Sequence, residues 1–140
     1  MMNKRTDEKT GMKSYVLYLI PAFVIIVILV LFRTVLLLGY VPSESMEPTL
    51  ERDSYIIGTR LYRDIDVGDI IIFEREGTMM VKRVAACAGD TVMVNGQSQP
   101  VPNDCYYVLG DNFNNSYDSR YWDQPFINGS QVKAKVIFYK

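Results

Sequence analysis

Two serines in one short segment are the first candidates for chemistry in this chain. Ser43 and Ser45 lie two positions apart in the stretch VPSESMEPTL, between Pro42 and Pro48. Prolines restrict the backbone on either side of the serines, and a nucleophile needs a rigid, accessible position. The segment is therefore a candidate nucleophile site, although serine and proline also occur together in ordinary loops.

One lysine stands in an apolar strand pattern, TMMVKRVAA. Alternation places Met80, Lys82 and Val84 on one face of the strand and Arg83 on the other. Burial among apolar side chains disfavours the ammonium and lowers the lysine pKa, which would allow Lys82 to act as a general base. In the alternative interpretation, the aliphatic stem packs on the strand while the amine reaches water.

A polar loop, VLGDNFNNSYDSRYW, contains residues able to support such a pair. Asp118 and Arg120 are spaced to form an ion pair that braces the loop. Ser116 could hydrogen-bond the lysine amine and orient it, as a third group does in other pairs of nucleophile and base.

The composition excludes several other kinds of site. None of the 140 residues is histidine, which excludes Ser-His-Asp and Cys-His catalysis and histidine zinc sites. We expect no metal and no cofactor. The net charge of −1 gives no indication of a nucleic-acid partner. Cys87 and Cys105 are either a disulfide or two small buried hydrophobic residues, and the sequence leaves both open.

A long apolar run near the N-terminus predicts a membrane anchor. Residues 15–32 contain no charge and would measure about 27 Å as a helix, close to the bilayer core of about 30 Å. A buried core helix is disfavoured because the run is apolar on every face. A cleaved signal peptide is disfavoured by its length and by the lack of a cleavage site after it. Four of the six charges before the run are basic, which predicts a cytoplasmic N-terminus.

The rest of the chain predicts β structure. Short β-branched or aromatic runs are separated by turn signals, and Asn95-Gly96 predicts a type I′ hairpin. The fold class is mainly β: a single N-terminal transmembrane helix followed by a compact, mostly antiparallel β domain. We expect a disordered cytoplasmic tail over residues 1–14, an anchor over 15–32 and an extracytoplasmic catalytic domain over 33–140. The predicted strands are TVLLLGYV, DSYIIGT, DIIIFE, TMMVKRVAA, DTVMV, CYYVLG and VKAKVIFY.

Taken together, these segments resemble bacterial type I signal peptidases, the leader peptidase family of serine proteases with a Ser/Lys dyad. The resemblance extends from the anchor to the last strand and implies a β domain of the signal peptidase/LexA-like type. It is similar to the short, Gram-positive-type form with one anchor, and Ala88 departs from it where the family's turn usually has proline. It depends on the order of five motifs: the anchor, PSESMEPTL, VGDIIIF, VKRVAACAGD and LGDNFNNSYDSR.

The resemblance implies catalytic roles for three residues. Ser45 matches the nucleophile and Lys82 the general base. Ser43 matches a hydroxyl that forms the oxyanion hole together with the backbone N–H of Ser45.

It also implies supporting and substrate-binding residues. Ser116 matches the serine that holds the lysine amine, Asp118 and Arg120 match a supporting ion pair, and Asp111 is expected to pair with Arg83. The positions that line shallow pockets for small substrate side chains at −1 and −3 are matched by Val41, Met46, Leu50, Met80 and Val81.

The function implied is that of a membrane-bound serine endopeptidase at the plasma membrane. It would cleave N-terminal signal peptides from secreted preproteins after a small-x-small motif, and its partners would be these preproteins and the lipid bilayer. The substrate would add as a strand to an exposed sheet edge, along residues 69–73 or 79–82. The sequence leaves open the oligomeric state and the choice of preproteins.

Three alternatives compete with this function. A self-cleaving protease of the LexA type is disfavoured by the anchor and by the lack of a helical DNA-binding domain. A catalytically inactive, membrane-tethered relative is disfavoured because Ser45 and Lys82 are both present. Residues 130–133 fit an S-x-x-K motif, but they begin a predicted strand rather than lie on a helix, and the partner motifs are missing.

Overall fold

The computed structural model of the chain describes residues 7–140, and the chain divides into two units, Met1–Thr34 and Val35–Lys140. Helix α1 runs over Asp7–Val35. Residues 1–6 of the expected tail lie outside the described residues, but residues 7–14 are helical, so the prediction of a disordered tail is wrong there.

Helix α1 contains a stretch suited to a bilayer. The 19 residues of Leu17–Val35 are long and apolar enough to cross a membrane, with a length of about 28 Å. None of this stretch is buried, whereas the core helix of a soluble protein is mostly buried. The helix continues through Pro21, as membrane helices can when neighbouring groups satisfy the freed carbonyl.

Nine strands and two short 3₁₀ helices follow. Seven strands form one sheet in the order β1-β2-β9-β3-β4-β7-β8, and β5 and β6 form a separate hairpin. The pairings are antiparallel, which confirms the mainly β fold class. The 3₁₀ helices are Glu44–Met46 and Gly129–Gln131, and the strands are β1 Leu36–Tyr40, β2 Tyr55–Thr59, β3 Ile70–Arg75, β4 Thr78–Cys87, β5 Thr91–Val94, β6 Gln97–Pro100, β7 Cys105–Leu109, β8 Phe126–Asn128 and β9 Val132–Tyr139.

The seven predicted runs all contain strands of the structure, and the predicted hairpin is confirmed. Asn95 and Gly96 have φ of 51° and 78°, the positive values that a type I′ turn requires at both positions. The turn joins β5 to β6. Strand β8 was not predicted, because three residues are too few to show a period of two.

Strand β3 lies at the centre of the domain and is buried on both faces. Ile71 and Phe73 belong to one hydrophobic cluster, with Val84, Val108 and other residues. Ile70 and Ile72, on the opposite face of β3, belong to a second hydrophobic cluster. This cluster consists of Val41, Met46, Leu50, Ile56, Ile70, Ile72 and Ala134. The segment that carries the two serines is therefore anchored in the second cluster.

The two cysteines are both free, and the geometry of the sheet explains why. Cys87 on β4 lies directly opposite Tyr106 on β7, and both pack against the first cluster. Cys105 precedes Tyr106 in the same strand, so its side chain points to the other face of the sheet, where it packs against a third cluster. Bonding the two would require the backbone to move.

Candidate active site

The segment from Val41 to Leu50 holds Ser45 in a rigid position. The first residue of the segment, Val41, is hydrogen-bonded to the turn that precedes β2. Its N–H donates to the Ser54 carbonyl (3.0 Å), and its carbonyl accepts from the Asp53 N–H (2.8 Å). Met46 is buried in the second cluster. Ser45 itself is only 8% exposed, so the position is rigid as predicted but less accessible than expected.

Lys82 meets Ser45 at the edge of β4. The two residues are 37 positions apart in the sequence, yet Lys82 Nζ lies 2.6 Å from Ser45 Oγ. This distance is within the range for direct proton transfer between a hydroxyl and a general base. Lys82 is 4% exposed, which contradicts the alternative in which its amine reaches water. Its neighbours on the same face, Met80 and Val84, pack in the first cluster as alternation predicted.

Burial sets the charge preference of this amine. It lowers the pKa of Lys82 below the ordinary lysine value, and the negative charges of Asp118 and Asp111 oppose the shift only in part. Removal from water penalises the ammonium more than the neutral amine. The lysine is therefore shifted toward the form that can accept a proton from Ser45.

The hydroxyl of Ser43 faces the nucleophile. Ser43 precedes the 3₁₀ helix Glu44–Met46 at the N-cap position, where serine commonly bonds a backbone N–H. Its side chain makes no such bond, and Ser43 Oγ lies 3.2 Å from Ser45 Oγ instead. The hydroxyl is thus available beside the position where a reacting group would meet Ser45.

Arg83 points away from Lys82 and ties three segments together. It forms a bidentate pair with Asp111, with Nε to Oδ1 at 2.8 Å and Nη2 to Oδ2 at 2.6 Å. It also donates to the Gly68 carbonyl at 2.7 Å and to Thr49 Oγ1 at 3.3 Å. The expected pair with Asp111 is therefore present and fixes β4 against the polar loop, while the bond to Thr49 ties β4 to the segment that carries Ser45.

Asp118 and Arg120 also form the expected ion pair. Asp118 is fully buried and accepts bonds of 2.8 Å from both Nε and Nη2 of Arg120 and of 2.9 Å from the Gly110 N–H. Burial alone would raise the pKa of this carboxyl, but the bonds from Arg120 and Gly110 outweigh it and hold the pKa below its usual value. The carboxylate braces the loop close to Lys82.

Ser116 does not make its expected contact. Ser116 Oγ is buried beside the carboxyl of Asp118, whose pKa its hydroxyl helps to lower, and the amine of Lys82 bonds Ser45 instead. Ser116 packs against Gly110, where an added Cβ would overlap both Ser116 Oγ and the carbonyl oxygen of Ser45. Gly110 is therefore the residue that allows loop and nucleophile segment to approach so closely.

A groove of about 400 Å³ leads to Ser45 between two open strand edges. Strand β1 ends the seven-stranded sheet, and β7 pairs with β4 only from Arg83 to Cys87. Residues 78–82 of β4 and the outer edge of β1 therefore face this groove. The expectation that residues 69–73 could offer an edge is wrong, because β3 is paired on both sides, with β4 and β9.

Four of the five predicted pocket residues line the groove, and Leu50 does not. Leu50 is 1% exposed and lies in the second cluster beneath it, because the turn after Met46 directs its side chain into the core. The contribution of β1 to the groove was not predicted from the sequence. The run LLLGY indicated a strand, but only the strand order of the sheet shows that this strand has a free edge. The residues missed include Leu37, Leu38, Tyr40, Ile72 and Met79.

Comparisons with known proteins agree with this geometry. The family profile described as "Signal peptidase, peptidase S26" matches residues 12–99 and 93–139. The chain is 36% identical to a signal peptidase I of Bacillus amyloliquefaciens over 84% of both proteins. It is 38% identical to a probable signal peptidase I-2 of Synechocystis sp. strain PCC 6803 over 59% of this chain, which spans 54% of that relative.

A more distant relative carries a different name. The chain is 26% identical, over 78% of its length and 83% of the relative's, to a protein of Staphylococcus aureus strain Mu50 named inactive signal peptidase IA. Similarity at this level therefore extends to a protein that is named as inactive. Only the residues at the site can distinguish the two cases for this chain.

The buried amine gives a stability prediction. Because its pKa is lowered by folding, the folded state loses stability as the pH falls from about 10.4, the ordinary lysine pKa, through the lowered value. Lys82→Met keeps the length of the side chain and removes this penalty. We expect its free energy of unfolding at pH 7 to exceed that of the unmodified protein by about 1 kcal/mol, with a difference that shrinks toward pH 10.

Thermal or denaturant unfolding in detergent measures this difference. Lys133→Met is the matched control, since Lys133 is partly exposed and paired with Glu74, and no gain is expected there. A Lys82→Met protein that is less stable at pH 7 would contradict the burial argument.

Proposed function

The chain belongs to the peptidase S26 family of signal peptidases, serine peptidases that cleave signal peptides from precursor proteins, and we propose that it does so with a Ser45/Lys82 dyad after a small-x-small motif. The observation that supports the dyad is the 2.6 Å distance between Lys82 Nζ and Ser45 Oγ in a buried setting. Ser45 and Lys82, which the resemblance pairs, lie on different segments of the chain and are in direct contact.

In the proposed mechanism, neutral Lys82 takes the proton of Ser45 as the hydroxyl oxygen attacks the scissile carbonyl. The lysine then returns this proton to the leaving amine, which departs as the new N-terminus of the mature protein. Water, deprotonated in turn by Lys82, attacks the acyl-enzyme and releases the signal peptide. The low pKa of the lysine matters in the two steps where Lys82 accepts a proton, first from Ser45 and later from water, since only the neutral amine can accept it.

The tetrahedral intermediate requires donors for its oxyanion. We assign the backbone N–H of Ser45 and the hydroxyl of Ser43, which lies 3.2 Å from Ser45 Oγ. Loss of one such donor costs about 10²–10³ in rate in other acyl-transfer enzymes. Within this chain Ser43 is free for the role because it does not cap the 3₁₀ helix.

The groove suits an extended peptide with small side chains. A substrate strand laid between β1 and residues 78–82 could bond to both open edges. Side chains two apart in a strand point the same way, so those at −1 and −3 would both face the groove floor. That floor includes Val41, Met46 and Ile72, which are buried core residues. A floor so close to the backbone leaves room for small side chains only.

The single apolar N-terminal helix and the signal peptidase relatives indicate a membrane-anchored protein. We propose that it lies in the plasma membrane with the N-terminus in the cytoplasm, because basic residues predominate before the helix. Residues 33–140 would then form the extracytoplasmic catalytic domain. The anchor would raise the local concentration of substrates that carry their own apolar segment in the same membrane.

Substitution of the dyad tests the proposal. We expect Ser45→Ala and Lys82→Ala each to abolish cleavage of a synthetic precursor ending in Ala-x-Ala, because the nucleophile or its base is lost. Their matched controls are Ser130→Ala and Lys133→Ala, which remove the competing S-x-x-K residues and should leave cleavage unchanged. Loss of cleavage in the control variants, with activity kept in the dyad variants, would transfer the chemistry to residues 130–133.

The pH dependence of cleavage follows from the lowered pKa of Lys82. Below this pKa the lysine is protonated and inactive as a base, so kcat/KM should rise with pH and level off before the ordinary lysine pKa of about 10.4. Initial rates from pH 5 to pH 10 measure the curve. A rate that peaks near pH 5 would point to a carboxylate base instead.

A further inference from the structure

Asn112 makes two hydrogen bonds to the backbone around the nucleophile. Its side chain Nδ2 donates to the Glu44 carbonyl at 3.1 Å, and its backbone N–H donates to the Ser45 carbonyl, also at 3.1 Å. The polar loop thus holds both carbonyl groups that flank the Ser45 backbone N–H and side chain. These two hydrogen bonds, called the Asn112 clamp below, are not explained by the motif that carries Ser45 or by the dyad geometry.

The bond to Glu44 acts on the peptide group that contains the Ser45 N–H. The Glu44 carbonyl and the Ser45 N–H belong to the same peptide unit, which is planar and trans, so the N–H points opposite to the C=O. A donor that fixes the direction of the carbonyl therefore fixes the direction of the N–H on the other side. The Glu44 carbonyl also accepts a hydrogen bond from the Glu47 N–H at 3.1 Å. Two donors therefore fix the orientation of the Glu44–Ser45 peptide plane.

The bond also affects the strength of the N–H as a donor. A hydrogen bond to a carbonyl polarises its peptide group and strengthens the bond that the N–H donates. Asn112 is uncharged, so it can do this without adding a charge near Lys82. An aspartate at this position would lack the donor and place oxygen against oxygen.

We propose that Asn112 is a positioning residue for the oxyanion hole, acting through the Glu44–Ser45 peptide group to aim and polarise the Ser45 N–H. This inference rests on the proposed function, since it assumes that the Ser45 N–H binds the oxyanion. Asn112 contacts neither the substrate nor the dyad side chains in this role. It affects the transition state, in which the negative oxygen exists, and leaves substrate binding unchanged.

Two substitutions test the proposal, Asn112→Ala and Asn112→Asp. Asn112→Asp keeps the size of the side chain, so it still tests the role of Asn112 if Asn112→Ala does not fold. Asn115→Ala is the matched control, because Asn115 lies in the same loop and bonds the same residue, but through the Glu44 carboxylate (3.1 Å) rather than its backbone. The readouts are kcat and KM for a synthetic precursor, the affinity for a peptide aldehyde, and the pH profile.

The peptide aldehyde separates oxyanion stabilisation from a general structural role. Ser45 Oγ adds to the aldehyde carbon while the Ser45 proton passes to Lys82, and the adduct places its oxygen in the oxyanion hole. We expect Asn112→Ala to lower kcat about tenfold, less than the 10²–10³ lost with a direct donor. KM should stay within about twofold, aldehyde affinity should fall by the same factor as kcat/KM, and Asn112→Asp should lose more.

The pH profile should keep its position in Asn112→Ala, since no charge near Lys82 changes. Asn112→Asp adds a negative charge there and should move the profile to higher pH, so its kcat is compared on the alkaline plateau. Asn115→Ala should behave as the unmodified protein does. Unchanged kcat and aldehyde affinity in both Asn112 variants would overturn the inference, and so would a loss confined to KM or shared equally by Asn115→Ala.

If Ser45→Ala still cleaves precursors, the proposed function itself fails. If Ser45→Ala is inactive while the Asn112 variants are fully active, only the role of Asn112 fails.

Discussion

The removal of one amine from water is the constraint on which the rest of this structure depends. Lys82 must be buried enough to lose its proton, yet two carboxylates lie near enough to favour the ammonium. Each of these carboxylates is paired in a bidentate manner with an arginine, Asp118 with Arg120 and Asp111 with Arg83. Desolvation is nevertheless the largest effect on the pKa of Lys82, and the two ion pairs brace the segments that enclose the amine.

The architecture brings three distant segments to this point. Strand β4 supplies the lysine, the segment anchored in the second hydrophobic cluster supplies Ser45, and the loop after β7 closes over both. Gly110 permits the close approach of the loop, and Asn112 bonds the backbone that it approaches. The sheet order leaves β1 and the first half of β4 unpaired on one side each, so a groove for an extended peptide leads directly to the dyad.

Much of this could be predicted from the sequence, because the signals were local. Alternation in β4 placed Lys82 among apolar side chains, turn residues marked the hairpin, and spacing in the polar loop indicated the pair of Asp118 and Arg120. The errors concern features that depend on tertiary structure. The sequence does not show that β1 is the edge strand and β3 the centre, that Leu50 turns into the core, or that Ser116 packs on Gly110. A clamp such as that of Asn112 is equally hidden, since it acts on backbone atoms across 68 positions of sequence.

The most direct measurement of the central claim is the pKa of Lys82 in the folded protein. Lysine labelled at its side-chain amine or ε-carbon can be titrated by NMR in detergent micelles, with the Lys82 signal assigned from its absence in Lys82→Arg. A titration midpoint for Lys82 well below the ordinary lysine value of about 10.4 is the result expected. A midpoint for Lys82 at or above that value would contradict the account, because the residue beside Ser45 would then be an ammonium rather than a base.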